Sequence, residues 1–144
     1  YGPNDNFDLK NSHVLPAMIR KFHEAKLSGN TPVELWGSGT PFREFLHVDD
    51  LSRAVILAME NSLDGHLYNV GTGKDVTIKN LALLVQNIVG HKGEINWDKN
   101  KPDGTPKKQL DTSKLFALWF EPKVSLDSGI KSTYKSFKSN IDVY

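Results

Sequence analysis

The chain has 144 residues, 38% of them hydrophobic, and a formal net charge of +1. This fits one globular domain without the strong field that would recruit nucleic acid or anionic lipid. No apolar run approaches the roughly 20 residues of a membrane span, and the turn-rich first six residues do not resemble a signal peptide. The absence of cysteine excludes disulfides and thiolate ligands and fits a cytoplasmic protein.

The first predicted element is an amphipathic helix. We expect Ser12 to cap a helix that opens at His13, tolerates Pro16 in its first turn and ends at Gly29. At helical spacing, His13 and Lys21 face the same side of this helix.

Two strands and a second helix are predicted next. Residues 33–35 read as a short strand, and residues 42–48 as a longer one that runs into a helix over residues 50–60. Asp49 or Asp50 is the expected cap of that helix. A further strand is predicted at residues 66–70.

The second half of the chain continues the alternation, which predicts an α/β fold. Its expected features are, in order, a helix from Thr77 to Gly90, a strand at residues 94–97, a loop at residues 98–109, a short helix capped by Asp111 and ended by Pro122, and a last helix capped by Ser125. The loop contains two prolines, a glycine and four lysines, so we expect little order in it without a ligand or partner.

Residue types suited to ligand binding concentrate between Trp36 and Asp50. Gly37 and Gly39 can adopt positive φ angles and let a ligand approach the backbone. Arg43 offers a planar fork of donors for a phosphate. This order favours a nucleotide-sugar pocket. The alternative is a plain hairpin in which Arg43 pairs with a neighbouring carboxylate, and spacing alone does not separate the two.

Two other patterns predict no site. The five histidines have no paired spacing, so we expect no metal. Tyr134 and Lys138 have the four-residue spacing of a catalytic tyrosine–lysine pair. Tyr134 also aligns with Ile130 and Phe137 at helical spacing, which predicts core packing.

The run from Trp36 to Asp50 resembles the nucleotide-sugar signature of the extended short-chain dehydrogenase/reductases. Residues 1–7, 11–25 and 101–111 narrow the resemblance to the GDP-L-fucose synthase family, and it continues through residues 68–73 to the final helix. It implies that residues 1–144 form the C-terminal, GDP-sugar-binding part of an enzyme, a small mixed α/β domain without the N-terminal Rossmann part. The implied enzyme is an NADPH-dependent homodimer that converts GDP-4-keto-6-deoxy-D-mannose to GDP-L-fucose by 3,5-epimerisation and 4-keto reduction.

The resemblance also implies roles for five residues. His13 matches a general acid/base that lies beside the nicotinamide, and an imidazole suits proton transfer near neutral pH. Lys21, Trp36, Arg43 and Asp103 match positions that bind the GDP-sugar. Without the resemblance, solvent exposure of Lys21, core packing of Trp36 and a turn at Asp103 are the simpler interpretations.

The chain lacks the other parts that the resemblance implies. Gly37–Gly39 and Gly71–Gly73 both lack the third glycine of a dinucleotide-binding fingerprint, and the matching catalytic tyrosine, lysine and cysteine would lie upstream of Tyr1. We therefore expect the isolated chain to be inactive, with NADPH bound mainly by the upstream half. Another nucleotide-sugar epimerase or dehydratase, or a non-catalytic nucleotide-sugar binding module, remains an alternative.

Overall fold

The computed structural model describes residues 1–61 and 67–141 of the chain. Its elements alternate between helix and strand, as the sequence predicts for an α/β fold. The helices are α1 (Val14–Leu27), α2 (Val48–Glu60), α3 (Ile78–Val89), α4 (Ser113–Phe116) and α5 (Leu126–Ser139), and the strands are β1 (Val33–Trp36), β2 (Phe42–Glu44), β3 (Asp75–Thr77), β4 (Ile95–Asp98) and β5 (Lys107–Lys108). No described helix is long and apolar enough to cross a membrane.

The main core lies between helices α1, α3 and α5 and the parallel pair β1–β4. Strand β1 pairs in register with β4, with Val33 opposite Ile95 and Trp36 opposite Asp98. Alternation along β1 buries Val33 and Leu35 and exposes Glu34 and Trp36. The helices bury their apolar stripes against this face, and the buried cluster consists of Phe7, Leu15, Met18, Ile19, Phe22, Ala25, Val33, Leu35, Leu81, Ala82, Val85, Val89, Ile130, Tyr134 and Phe137.

A second, three-stranded sheet carries β2 in its centre. Strand β2 pairs antiparallel with β3 and parallel with β5. Strand β5 belongs to the segment predicted as a loop at residues 98–109. That segment is therefore held partly by backbone pairing within the chain, contrary to the expectation that only a ligand or partner would order it.

Helix α2 is anchored by a buried carboxylate. Asp50 is 1% exposed and accepts hydrogen bonds from the amides of Lys123 (3.0 Å) and Val124 (2.9 Å) and from Arg53 Nη1 (2.8 Å). Although burial opposes ionisation, these donors hold the pKa of Asp50 below its usual range. Because the amides of Lys123 and Val124 belong to the segment that leads into α5, Asp50 fixes α2 to that segment.

Several predicted helix caps are confirmed, and others are wrong. Thr77 Oγ1 and Ser125 Oγ accept hydrogen bonds from their first-turn amides. Gly90 ends α3 with a φ angle of 77°. Helix α1, however, is capped by His13 and not by Ser12, since the first helical bond runs from the Ala17 amide to the His13 carbonyl.

The caps of α2 and α4 also differ from the predicted residues. His47 caps α2 through Nδ1, which accepts from the Asp49 amide at 3.2 Å. Neither Asp49 nor Asp50 caps it, because the helix begins two to three residues earlier than predicted. Thr112 occupies the cap position of α4, while the Asp111 carboxylate accepts from the Ser113 amide at 3.0 Å. Helix α4 ends at Phe116, well before Pro122.

Two predicted strands differ from the structure. The strand predicted over residues 42–48 ends at Glu44, because Phe45 to His47 turn towards α2. The strand predicted at residues 66–70 is absent from residues 67–70, and His66 lies outside the described residues. Leu67, at the start of this extended segment, is 83% exposed.

Tyr134 packs in the core, as its helical spacing predicts. Its side chain is 7% exposed, and its hydroxyl lies 3.0 Å from Nδ1 of the buried His23. Lys138 lies over the Tyr134 ring, with Nζ 4.8 Å from the ring centroid. This pair is therefore structural.

Candidate functional site

The predicted binding residues approach one another at the carboxyl end of β1. Helix α1 runs back along β1: the Thr31 amide bonds the Ala25 carbonyl at 3.2 Å, and Lys21 Nζ donates to the Glu34 carbonyl at 3.0 Å. Because helix and strand are antiparallel, the His13 end of α1 lies towards the Trp36 end of β1. His13 is roughly 12 Å from Lys21 along the helix axis. Ligands commonly bind at this edge of an α/β sheet.

Trp36 forms an open aromatic surface at this edge. Its side chain is 64% exposed, so the simpler interpretation of core packing is wrong. Lys101 Nζ lies 5.1 Å from its ring centroid, a cation–π distance. An exposed ring beside a cation suits a base or sugar attached to a phosphate.

The two glycines after Trp36 have positive φ angles, as their sequence predicts. Gly37 has a φ of 79° and Gly39 a φ of 76°. A Cβ at Gly37 would collide with Asp103 Oδ1, and one at Gly39 would lie 2.7 Å from the Trp97 ring. The space beside these two glycines is therefore occupied by the side chains of Asp103 and Trp97. The turn does not leave room for a pyrophosphate against its backbone.

Asp103 is bound to Ser38 at the tip of this turn. Its carboxylate accepts from the Ser38 amide at 2.6 Å and from the Ser38 hydroxyl at 2.7 Å. The two hydrogen bonds hold the pKa of Asp103 below its usual range. A carboxylate has about four acceptor positions, so the side chain retains capacity for hydroxyl or N–H donors of a ligand.

Arg43 lies beside the same segment. Its Nη1 donates to the carbonyls of Phe42 (2.6 Å) and Thr105 (2.7 Å). No carboxylate within residues 1–61 and 67–141 forms a salt bridge with it, so the plain hairpin with an Arg43–carboxylate pair is not what forms. Its Nη2 lies 3.6 Å from the Cβ position of the exposed Gly104, and Arg43 itself is partly exposed.

Glu44, which we did not predict as a site residue, joins β2 to two neighbouring segments. Its Oε1 accepts from the Gly73 amide at 2.6 Å, and its Oε2 accepts from the Leu110 amide at 3.1 Å. Gln109 Nε2 bonds the Gly73 carbonyl at 2.7 Å. The Gly71–Gly73 turn is therefore filled by Glu44 and Gln109, and it does not serve as a phosphate loop.

His13 lies at the exposed N-terminus of α1. The adjacent Ser12 Oγ is buried without a hydrogen-bond partner among the described residues. This placement leaves the imidazole accessible to a ligand at the edge of the sheet. The described part of the chain contains no group of three or more His, Cys, Asp or Glu side chains that could hold a metal ion.

A separate groove lies elsewhere on the chain. A groove of about 730 Å³ is lined mainly by residues 116–126 and 72–76, and it contains none of the five predicted site residues. At its rim, Trp119 is 95% exposed and has a φ of 61°, a conformation that costs a non-glycine residue roughly 1–2 kcal/mol. The groove has charged side chains of its own, Lys74, Asp75, Glu121 and Lys123, but the sequence resemblance assigns none of them to a ligand.

The chain is similar to known proteins over nearly its whole length. The NAD dependent epimerase/dehydratase family matches residues 1–71, a range that includes His13, Lys21, Trp36 and Arg43. GDP-L-fucose synthase 1 of Arabidopsis thaliana is 51% identical over 141 residues, which are 98% of this chain and 44% of that protein. GDP-L-fucose synthase of Escherichia coli (strain K12) is 48% identical over 151 residues, covering 99% of this chain and 47% of that protein.

The solved structures agree with the family. A GDP-L-fucose synthetase from Naegleria fowleri bound to NADP is 29% identical and superimposes with a TM-score of 0.88, covering 99% of this chain and 45% of that one. The resemblance inferred from the sequence segments is therefore confirmed, and so is the α/β fold. The chain spans less than half of the length of these relatives.

Proposed function

We propose that this chain is the GDP-sugar-binding part of a GDP-L-fucose synthase, which forms GDP-L-fucose from GDP-4-keto-6-deoxy-D-mannose. The observation that carries the proposal is the convergence of Trp36, Arg43 and Asp103 at one edge of the sheet, supported by about 50% identity to curated synthases. Trp36 offers a flat surface for the base or sugar, and Arg43 offers cationic donors for the diphosphate. The remaining acceptor positions of Asp103 suit ribose hydroxyls or guanine N–H groups.

Lys21 and His13 complete the proposed site along α1. Lys21 adds a second cation beside β1. His13 acts as general acid/base at C3 and C5 of the sugar, where the adjacent C4 ketone makes the protons acidic enough for a side-chain base. Such proton transfer contributes about 10²- to 10⁴-fold to a rate.

The reduction step needs a hydride, which bound NADPH would supply. The two glycine turns of this chain do not fit a dinucleotide, because Asp103, Trp97 and Glu44 occupy the space beside them. We therefore assign the main NADPH site to a Rossmann part outside residues 1–144. In this proposal His13 is the one residue of the described chain that lies beside the cofactor.

Exposed apolar surface on α2 supports the proposal that this chain contacts a second part of the enzyme. Helix α2 exposes five large apolar side chains, those of Val48, Leu51, Val55, Ile56 and Met59. The extended segment at residues 67–70 pairs with no described strand. Exposed apolar side chains grouped on one helix favour an interface at that surface. We assign it to contact with the Rossmann part, and we propose that the complete enzyme is a cytoplasmic homodimer.

The activity test uses the full-length protein that carries this chain. With NADPH and GDP-4-keto-6-deoxy-D-mannose, we expect oxidation of NADPH and formation of GDP-L-fucose. The isolated 144-residue chain should give no turnover. Formation of a different product by the full-length protein would assign it to another nucleotide-sugar enzyme, and binding without turnover would make it a binding module.

A further inference from the structure

A strap of the chain runs parallel to the turn after β1, and three contacts attach it there in addition to the Arg43–Thr105 hydrogen bond. Lys101 lies over Trp36, the Asp103 carboxylate binds Ser38, and the Pro106 carbonyl accepts from the Phe42 amide at 2.8 Å. We call residues 101–106 the strap. In these three contacts, later residues of the strap meet later residues of the segment 36–42. The strap therefore forms one wall of the site that contains Trp36.

We propose that Ser38 is a positioning residue of this site, which holds Asp103 and the strap in the conformation that binds the GDP moiety. This inference rests on the proposed function. It adds a residue that neither the family resemblance nor the sequence pattern assigned to the site.

The geometry makes Ser38 the central attachment of the strap. It supplies two of the strap's hydrogen bonds, one from its amide and one from its hydroxyl. The Ser38 hydroxyl also lies 2.7 Å from Thr40 Oγ1, which limits its rotation. Gly37 must lack a side chain for Asp103 to reach this position. An alanine at position 38 would keep the amide bond and remove the hydroxyl bond.

The strap contributes to the site more than to the core. All residues from Lys99 to Asp111 are exposed, and none belongs to the two buried apolar clusters. Loss of one attachment should therefore let the strap adopt more conformations, with little change in the free energy of unfolding. A ligand that contacts Asp103 must then restrict the strap on binding, which weakens its affinity.

The test is a double-mutant cycle on the full-length protein, with GDP affinity measured by calorimetric titration. We expect Ser38→Ala to weaken GDP binding about tenfold, the equivalent of one lost hydrogen bond, and to raise KM for the sugar nucleotide while kcat stays the same. Ser38→Thr keeps the hydroxyl and should restore most of the affinity. Ser139→Ala removes an exposed hydroxyl on α5 and serves as the control.

The second arm of the cycle uses Asp103→Asn. If Ser38 acts through Asp103, the double variant should bind GDP only slightly more weakly than Asp103→Asn alone. Full additivity, or a lowered melting temperature with unchanged GDP affinity, would overturn the proposal. A wild-type protein that does not bind GDP would instead refute the proposed function itself.

Discussion

The Asp103 carboxylate and the Ser38 backbone amide lie 2.6 Å apart although 65 residues separate them in the chain. This contact joins the turn after β1 to the exposed segment before β5. It brings Asp103 close to Trp36 and Arg43, which the sequence resemblance assigns to the same ligand. The candidate site therefore depends on a tertiary contact that involves no apolar core residue.

Gly37→Ala tests the space that this contact requires. Both Gly37 and Gly29 have positive φ angles, 79° and 81°, but a Cβ at Gly29 meets nothing within 4 Å. Each alanine variant should lose roughly 1–2 kcal/mol of stability from backbone strain. Only Gly37→Ala should also weaken GDP binding, because its Cβ displaces Asp103. Calorimetric titration with GDP would contradict this if the two variants bound equally well.

Arg43→Lys should weaken GDP binding and leave the fold intact. A lysine cannot bond the Thr105 carbonyl and present a second planar pair of donors to a diphosphate. We expect a loss of at least about tenfold in affinity. Arg53→Lys is the matched control, since Arg53 pairs with the buried Asp50: it should lower the melting temperature and keep GDP affinity. The reverse pattern would make Arg43 a structural residue.

The buried His23 predicts a loss of stability in mild acid. Burial, reinforced by Lys26 and Lys138, lowers the pKa of His23. Below about pH 6.5 the unfolded chain binds a proton that the folded chain does not, so the free energy of unfolding falls as the pH falls. Denaturant unfolding at pH 7.5 and 5.5 should show this difference in the wild type.

Two variants distinguish the effect of His23 protonation from the effect of its hydrogen bond to Tyr134. His23→Phe should reduce the pH difference. Tyr134→Phe should lower stability by about 1–3 kcal/mol at both pH values, because it removes the hydroxyl partner of Nδ1, and it should keep the pH difference. An unchanged pH difference in His23→Phe would assign the effect to other groups.

Trp119→Gly should stabilise the protein by up to about 1 kcal/mol. Glycine relieves the cost of a positive φ, although its greater freedom in the unfolded chain offsets part of the gain. Trp119→Ala keeps the strained backbone, so it should bring no such gain. Equal unfolding midpoints for the glycine and alanine variants would show that the backbone at this position carries no strain.

His13→Asn should slow epimerisation by about 10²- to 10⁴-fold while GDP binding is retained. The exposed imidazole at the start of α1 is the proposed base at C3 and C5. The measurement is incorporation of solvent deuterium at these carbons of the keto sugar, followed by NMR or mass spectrometry. Deuterium incorporation at the wild-type rate in the variant would rule out His13 as the base.

The parts of the fold that follow from local chemistry could be predicted from the sequence. Helix α3 begins after Thr77 and ends at Gly90, as predicted. The Thr77 hydroxyl and the positive φ of Gly90 each act within one turn of the helix, so neither depends on distant parts of the chain. The predicted cap at Ser12 was wrong by one residue, because the position of the first helical bond depends on how α1 packs. The strand predicted over residues 42–48 was too long, since the pairing partners of β2 reach only Glu44.

In the candidate site, too, the features set by neighbouring residues could be predicted and those set by distant residues could not. The aromatic ring, glycines and arginine between Trp36 and Arg43 could be recognised as ligand-binding types, because they lie close together in the sequence. Ser38 and Glu44 could not, since their roles depend on Asp103, Gly73 and Leu110, which are far away in the chain. Their only local signal is a polar side chain within a ligand-binding run.

The most direct test of the account is a crystal structure of the full-length protein with GDP. The account predicts a diphosphate against the Arg43 guanidinium, with the nucleotide in contact with Trp36 and Asp103. GDP bound in the groove beside Trp119, with Arg43 and Asp103 still engaged only by Thr105 and Ser38, would contradict it.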